Sequence, residues 1–174
     1  MLELELFSSD ELLALAAIDL EKNELALGLE KLKLMRKKGV VSDELDSMLG
    51  SVYAKLQLFI DAAECYSRLL ERAPSRVHER FQLGMVYREI GEIDKALEHW
   101  DMVLGDEPNY PPVLFHKAVL LLNNNDESEC RYLLTLLIES AEEDNYYAQN
   151  GKKLIDELNS GDTSQDTNVL ENVH

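Results

Sequence analysis

Apolar and small residues recur at helical spacing through residues 77–110, in two runs separated by Gly91. Residues three and four positions apart fall on one face of an α-helix, so each run predicts an amphipathic helix. Glycine favours a turn between the runs, and Pro108 ends the second because proline cannot continue the helical hydrogen bonds. The pattern therefore predicts a helix hairpin, whose inward positions are Phe81, Gly84, Tyr87 and Ile90, then Ile93, Ala96, Leu97, Trp100, Val103 and Leu104.

The same pattern occurs in residues 43–76, displaced by 34 positions. The matching pairs are Leu49 with Leu83, Gly50 with Gly84, Tyr53 with Tyr87, Ala62 with Ala96, Tyr66 with Trp100, and Pro74 with Pro108. The glycine and the alanine of each hairpin are small, which predicts that the two helices approach closely there. A period of this length is typical of solenoids, in which each hairpin needs a neighbour to bury its apolar faces.

Two further repeats follow from the pair of small residues, which lie 12 positions apart in each hairpin. The same spacing, 34 residues earlier and later, gives Ala16 with Gly28 and Ala118 with Cys130. The sequence thus predicts four repeats, over residues 9–42, 43–76, 77–110 and 111–144. The outer two match less well; Asp19, for example, stands where the second repeat has Tyr53. Atypical terminal repeats are expected because one of their faces meets water.

The Leu-Gly, Tyr, Ala, aromatic and Pro positions of residues 43–110 resemble those of the tetratricopeptide repeat (TPR) family. The resemblance implies an all-α fold, a right-handed superhelical solenoid of about four helix hairpins plus a C-terminal capping helix, here residues 145–158. We therefore expect a TPR domain over residues 9–158, preceded by an arm over residues 1–8. Residues 159–174 contain no lysine or arginine and little apolar surface, which predicts a disordered acidic tail.

Local signals refine the first boundaries. Ser8 with Glu11 predicts a capping box at the start of the first helix, and Ser42 predicts the cap of the third helix. Leucine and glutamate alternate through Met1–Phe7. This alternation fits either an extra helical turn or an extended arm.

The resemblance also implies a ligand site, because TPR proteins bind their partners on the concave face lined by the first helix of each hairpin. The residues at the family's recurring ligand positions are Lys55, His78, Phe81, Met85, Arg88, Phe115, Val119 and Leu122. In the first two repeats such positions include Leu13, Ala17, Ser47 and Ser51. We expect an apolar patch of Phe81, Met85, Phe115 and Val119 with Lys55 and Arg88 beside it. The alternative is that Phe81 and Phe115 pack in the core, between repeats or under the final helix.

The formal net charge is −17, and an acidic surface repels phosphate backbones, which argues against nucleic acid as a partner. Four arginines spaced four apart run against this trend: Arg68, Arg72, Arg76 and Arg80. They are interpreted either as solvated charges favourable near a helix C-terminus or as a docking stripe for an acidic partner.

No apolar run approaches the roughly 18 residues of a membrane span, and the first residues carry no signal-peptide pattern. We therefore expect a cytoplasmic protein that does not enter a membrane. Cys65 and Cys130 are too few for a disulfide framework, which favours free thiols in a reducing compartment, with a redox switch as the alternative.

Motifs for catalysis are absent from the sequence: it has no phosphate-binding loop, dinucleotide turn, zinc motif or nucleophile elbow. His78 and His116 lie on neighbouring first helices, but two histidines without a carboxylate or thiolate make a poor metal site. The sequence therefore predicts no enzyme activity, no cofactor and no metal.

The leading functional hypothesis is an adaptor or scaffold that binds a partner's helix or extended segment in the concave groove. The second is a small acidic TPR chaperone that holds apolar segments of a client, similar to secretion chaperones. The third is a structural protein that forms homo-oligomers through its end repeats or its amino-terminal arm.

Overall fold

A computed structural model describes residues 3–161 of the 174-residue chain. These residues form nine α-helices and one short 3-10 helix, Leu4–Leu6, and include no strand. The helices are α1 Ser9–Glu21, α2 Leu25–Lys37, α3 Asp43–Lys55, α4 Phe59–Arg72, α5 Val77–Ile90, α6 Ile93–Asp106, α7 Pro111–Asn123, α8 Glu127–Ser140 and α9 Tyr146–Ser160. The all-α fold expected from the repeat is confirmed.

The period of 34 residues is visible in the backbone of the turns. Each turn between paired helices contains one residue with positive φ, and these residues are Asn23, Gln57, Gly91 and Asn125. The amide that follows each one donates to a carbonyl five residues back, as Glu92 N does to Tyr87 O at 2.9 Å. This arrangement satisfies carbonyls that the end of a helix leaves without a partner. All four helix pairs therefore turn in the same way, although only one turn has glycine.

Side-chain caps begin the helices where the sequence predicts them. The Ser8 hydroxyl accepts a hydrogen bond from Glu11 N, and Ser8 N donates to the Glu11 carboxylate at 2.8 Å, so the predicted capping box is confirmed. Ser42 Oγ accepts from Leu45 N at 3.1 Å at the start of α3. These bonds satisfy amides that the first helical turn leaves without partners.

The chain divides into two compact units, residues 1–96 and residues 97–174, and the boundary falls within α6. In the first unit, α1, α2, α3 and α4 enclose a core of Leu12, Ala16, Leu32, Met35, Leu45, Leu49, Val52 and Cys65. A second cluster in this unit packs α4 against α5 through Ala62, Tyr66, Leu69, Leu70, Leu83 and Val86. In the second unit, α7, α8 and α9 enclose Leu114, Phe115, Ala118, Cys130, Leu133, Leu134, Leu137 and Ala148.

The described part of the amino-terminal arm, residues 3–8, packs against the helices of the first unit. Leu4 and Phe7 pack against the core of that unit. Lys38 Nζ donates to the carbonyl oxygens of Glu5 at 3.1 Å and Phe7 at 3.0 Å. The described part of the arm therefore contains a short 3-10 turn, closer to the helical alternative than to the extended one.

Each arginine of the predicted stripe is engaged within the first unit. Arg72 bonds Asp46 at 2.7 Å and Asp43 at 3.1 Å, and Arg68 bonds Glu64 at 2.9 Å. Arg36 of α2 also bonds Asp46, at 2.5 Å, so this buried carboxylate joins α2, α3 and α4. Further along the stripe, Arg76 pairs with Glu79 at 2.7 Å and Arg80 donates to the carbonyl of Pro74 at 2.8 Å. These contacts give the stripe a structural role within and between repeats.

In the first repeat, which matches the pattern less well, Asp19 forms an ion pair with Lys31. Its carboxylate lies 2.6 Å from Lys31 Nζ, and the two side chains are 14% and 9% exposed. The corresponding residues 34 positions later are Tyr53 and Cys65. A buried ion pair between α1 and α2 thus takes the place of an aromatic residue and a thiol.

The last helix begins at the residue after Asn145, whose side chain accepts hydrogen bonds from two amides of its first turn. Its Ala148 and Gly151 are buried, which fits the predicted capping helix. The helix continues to Ser160, two residues beyond the predicted boundary, and Arg131 of α8 bonds the Asn159 side chain at 2.8 Å. The remainder of the predicted tail, residues 162–174, lies outside the described residues.

We predict that Gly50→Ala destabilises the protein by about 1–3 kcal/mol, the usual cost of overpacking a core. A Cβ at this position would lie 2.8 Å from two ring atoms of Tyr66, which is buried and cannot move aside. Denaturant unfolding measures the loss, and Gly28→Ala is the matched control. A Cβ at Gly28 would lie 2.6 Å from Cδ2 of the half-buried Leu20, a flexible side chain that we expect to shift at a lower cost than the rigid Tyr66 ring. Equal losses in the two variants would contradict this account of the α3–α4 contact.

Candidate functional site

An open pocket lies on the first helices of the first two repeats, within the first unit. Its volume is about 460 Å³. It is lined by Asp10, Leu13, Ala14 and Ala17 of α1, by Glu44, Ser47 and Met48 of α3, and by Arg76, the residue that precedes α5. Its accessible surface is mostly apolar. A pocket of this size and character suits an apolar side chain of a ligand.

The local sequence explains why these residues share a face. The lining residues of α1 stand at spacings of three and four, and so do those of α3, which places each set on one side of its helix. Leu12 and Ala16 point the other way and are fully buried in the core. The lining positions hold small residues, Ala14, Ala17 and Ser47, which leave the space open.

Negative charges outnumber positive charges around the pocket. Asp10 and Glu44 are exposed, and each lies in the first turn of its helix. Arg76 pairs with Glu79, which is 5% exposed and also accepts a hydrogen bond from Ser47 Oγ at 3.2 Å. The Arg76 hydrogen bond lowers the pKa of Glu79, and the Glu79 carboxylate raises the pKa of Arg76. One positive charge therefore stands against three negative charges, which leaves the pocket acidic.

This pocket was predicted in part from the sequence. Leu13, Ala17 and Ser47 are among the ligand positions that the TPR resemblance implies. The exposed carboxylates of Asp10 and Glu44, which form an acidic rim on the pocket, were not predicted. The sequence does contain a signal for these carboxylates, because Asp10 and Glu44 are 34 positions apart and so occupy equivalent positions of two repeats.

The predicted site residues of the first unit divide by exposure. Lys55 and His78 are exposed, and Arg88 is half-buried and hydrogen-bonds Glu89. Phe81 is 4% exposed and Met85 is 9% exposed. The His78 and Phe81 rings lie 6.4 Å apart, so the structure brings these two together. The polar members are thus accessible, while the two apolar members are buried.

The predicted site residues of the second unit belong to its core or its margin. Phe115 is 2% exposed, and its ring centroid lies 5.9 Å from that of Tyr147 in α9. Val119 and Leu122 are half-buried and pack against the same cluster. The position of Phe115 is the one described by the core alternative, in which it lies under the final helix. Whether it also contacts a ligand stays a prediction.

Residues 3–161 were also compared with the requirements of a metal site, a membrane span and a reactive thiol. Among residues 3–161, no three histidine, cysteine, aspartate or glutamate side chains come together in a way that could hold a metal ion. No helix in this range is long and apolar enough to cross a membrane. Cys65 and Cys130 are buried free thiols. Burial raises the pKa of both thiols, to about 11 for Cys130.

Comparison with solved structures identifies the fold. The chain is similar to MamA (TM-score 0.71, 20% identity, covering 76% of this chain and 77% of MamA). It is also similar to YrrB, described as a TPR protein with an unusual peptide-binding site (TM-score 0.70, 22% identity, covering 79% of this chain and 71% of YrrB). A third similar structure is a tetratricopeptide repeat protein from Parabacteroides merdae (TM-score 0.73, 20% identity, covering 88% of this chain and 60% of that protein).

Sequence comparison gives a weaker likeness. No family model matches the sequence. The chain is 29% identical over 110 residues to Protein NPGR2 of Arabidopsis thaliana, which covers 59% of this chain and 15% of that protein. The chain thus spans a small part of the length of this curated relative. The structural likenesses, together with the nine helices and their common turns, show that the chain has the tetratricopeptide repeat fold.

Proposed function

We propose that this chain is a protein interaction module that binds a helix or extended segment of a partner on the first helices of its repeats. The observation that carries the proposal is the open apolar pocket between α1 and α3. First helices present such surfaces on a rigid frame, which lowers the entropy lost on binding. The fold shared with YrrB, a TPR protein described as having a peptide-binding site, supports the same class of function.

Each unit has its own members of the predicted site, some of them accessible and some buried. Lys55 and His78 are exposed and Arg88 is half-buried, so these residues are proposed as polar contacts. Phe81 and Met85 are buried and would support the contact surface of the first unit from beneath, and Phe115 is buried and would do the same in the second unit. Val119 and Leu122 are half-buried and are proposed as further apolar contacts in the second unit. The chaperone and self-assembly hypotheses stay predictions.

The pocket can be tested by filling it. Ala14 is exposed and lines the pocket, so Ala14→Trp should occupy the space without disturbing the core. We expect this variant to reduce recovery of partner proteins in a pull-down from native lysate about tenfold or more, the loss typical of one main anchor. The comparison is quantitative, between variants in the same lysate, and the melting temperature of each variant is measured alongside.

The matched control is Ala26→Trp, which places the same side chain at an exposed position of the second helix α2. It should recover the same proteins as the unmodified chain. If Ala14→Trp also recovers them in full, the pocket is not the binding site and the proposed function loses its main support.

A further inference from the structure

The rim of the pocket carries carboxylates at equivalent positions of two successive repeats. Asp10 and Glu44 each occupy the second residue of a first helix, α1 and α3, and both line the pocket. Both side chains are exposed, and within the described part of the chain neither forms an ion pair. The rim therefore has two negative charges that are available to a ligand. Beneath them lies the apolar floor of the pocket, formed by residues such as Leu13 and Met48.

The cation at the pocket, Arg76, is engaged mainly by another carboxylate. Arg76 donates to both carboxylate oxygens of Glu79, at 2.7 and 3.1 Å, so its positive charge is already matched inside the protein. An anionic ligand would have to separate this pair or approach Asp10 and Glu44, both at an energetic cost. A cationic ligand meets two exposed carboxylates, neither of which forms a close ion pair within residues 3–161, although Arg76 lies near enough to attract Glu44 weakly.

We propose that the pocket selects basic amphipathic segments, in which an apolar side chain enters between α1 and α3 while neighbouring lysine or arginine residues pair with Asp10 and Glu44. This inference rests on the proposed function and adds the chemistry of the partner to it. Apolar residues such as Leu13 and Met48 supply the contact area. The carboxylates supply the selection by charge, because complementary charges favour one class of partner and repel the opposite class.

A set of synthetic peptides tests the chemistry directly. The probe is a fluorescein-labelled amphipathic peptide of leucine and lysine, and two comparison peptides replace every lysine with glutamate or every leucine with serine. Fluorescence anisotropy gives the Kd for the full chain. We expect the leucine–lysine peptide to bind more tightly than both others, since it alone matches the floor and the rim.

Charge removal at the rim gives the decisive comparison. Asp10→Asn with Glu44→Gln keeps the side-chain shapes and should weaken the leucine–lysine peptide about fivefold, the scale of two exposed ion pairs. Glu30→Gln with Glu71→Gln removes two exposed charges from the second helices α2 and α4. This control variant should keep nearly the original Kd.

The outcomes separate the two proposals. Equal weakening by both double variants would overturn the inference, since the net charge of −17 would then account for the attraction. Equal binding of the glutamate peptide would also overturn it, but would leave the proposed function standing if Ala14→Trp abolishes that binding. Failure of every peptide to bind overturns the inference, while the pull-down with Ala14→Trp still decides the proposed function.

Discussion

Phe115→Ala is expected to lower the free energy of unfolding by about 3–5 kcal/mol, the range for truncating a buried aromatic side chain. The Phe115 side chain is 2% exposed and faces the Tyr147 ring of α9. Its removal leaves a cavity between α7 and the capping helix that the surrounding side chains fill only in part. Denaturant unfolding monitored by circular dichroism measures the change.

Tyr132→Ala is the control for this prediction, because it truncates an aromatic side chain in the same unit that is 61% exposed. Surface substitutions of this kind usually change stability by no more than about 0.5 kcal/mol. A loss for Phe115→Ala as small as that for Tyr132→Ala would mean that the ring contributes little to the core, and would favour a ligand-binding role for it.

The burial of Phe115 depends on a contact that the repeat pattern does not encode. An aromatic residue on a first helix has the same helical spacing whether it faces a ligand or a neighbouring helix. In the structure, part of the surface that covers Phe115 comes from α9, whose Tyr147 ring lies 5.9 Å from the Phe115 ring. That helix lies outside the 34-residue repeat, so the repeat carries no information about which residues it covers.

The fold could be predicted from the sequence because several types of residue recur with the same period of 34 positions. Small residues, aromatic residues and prolines all return after 34 positions, so an error at one position leaves the others intact. The turns illustrate the point, since Gly91 signals a left-handed residue and Gln57 does not. The repeat nevertheless places the same backbone conformation at both.

The pocket was only partly predictable for a different reason. A gap between helices results from side chains that are too small to fill it, and Ala14 and Ala17 resemble the small residues of close helix contacts. Its acidic rim depends on charges that stay unmatched, whereas Arg76 is matched by Glu79. Such matching requires the positions of side chains on different helices.

The buried pair in the first repeat was likewise visible in the sequence only as a mismatch at Asp19. Burying two charges costs their hydration free energy, and the attraction between them offsets this cost only while both are present. Lys31 Nζ also donates to the carbonyl of Leu27 at 3.3 Å, which fixes the ammonium group between α1 and α2. The pair should therefore tolerate joint replacement better than the loss of one member.

We predict that Lys31→Met destabilises the protein by about 3–5 kcal/mol, because it leaves the Asp19 carboxylate without its cation in a site that is 14% exposed. Lys95→Met is the control: its ion pair with Glu92 is 3.5 Å long and about half exposed, with side chains 53% and 51% accessible. Exposed pairs contribute about 0–1 kcal/mol. Similar losses in the two variants would show that burial adds nothing to the first pair.

The double variant Asp19→Tyr with Lys31→Cys should recover most of that stability, to within about 1 kcal/mol of the original chain, since apolar replacement of a buried pair is often neutral or stabilising. It introduces the residues that the second repeat holds at the equivalent positions, Tyr53 and Cys65. Denaturant unfolding of the single variants Asp19→Tyr and Lys31→Cys, measured beside the double variant, completes the double-mutant cycle. A double variant less stable than both single variants would show that the first repeat has adapted its packing to the ion pair, beyond replacing two side chains.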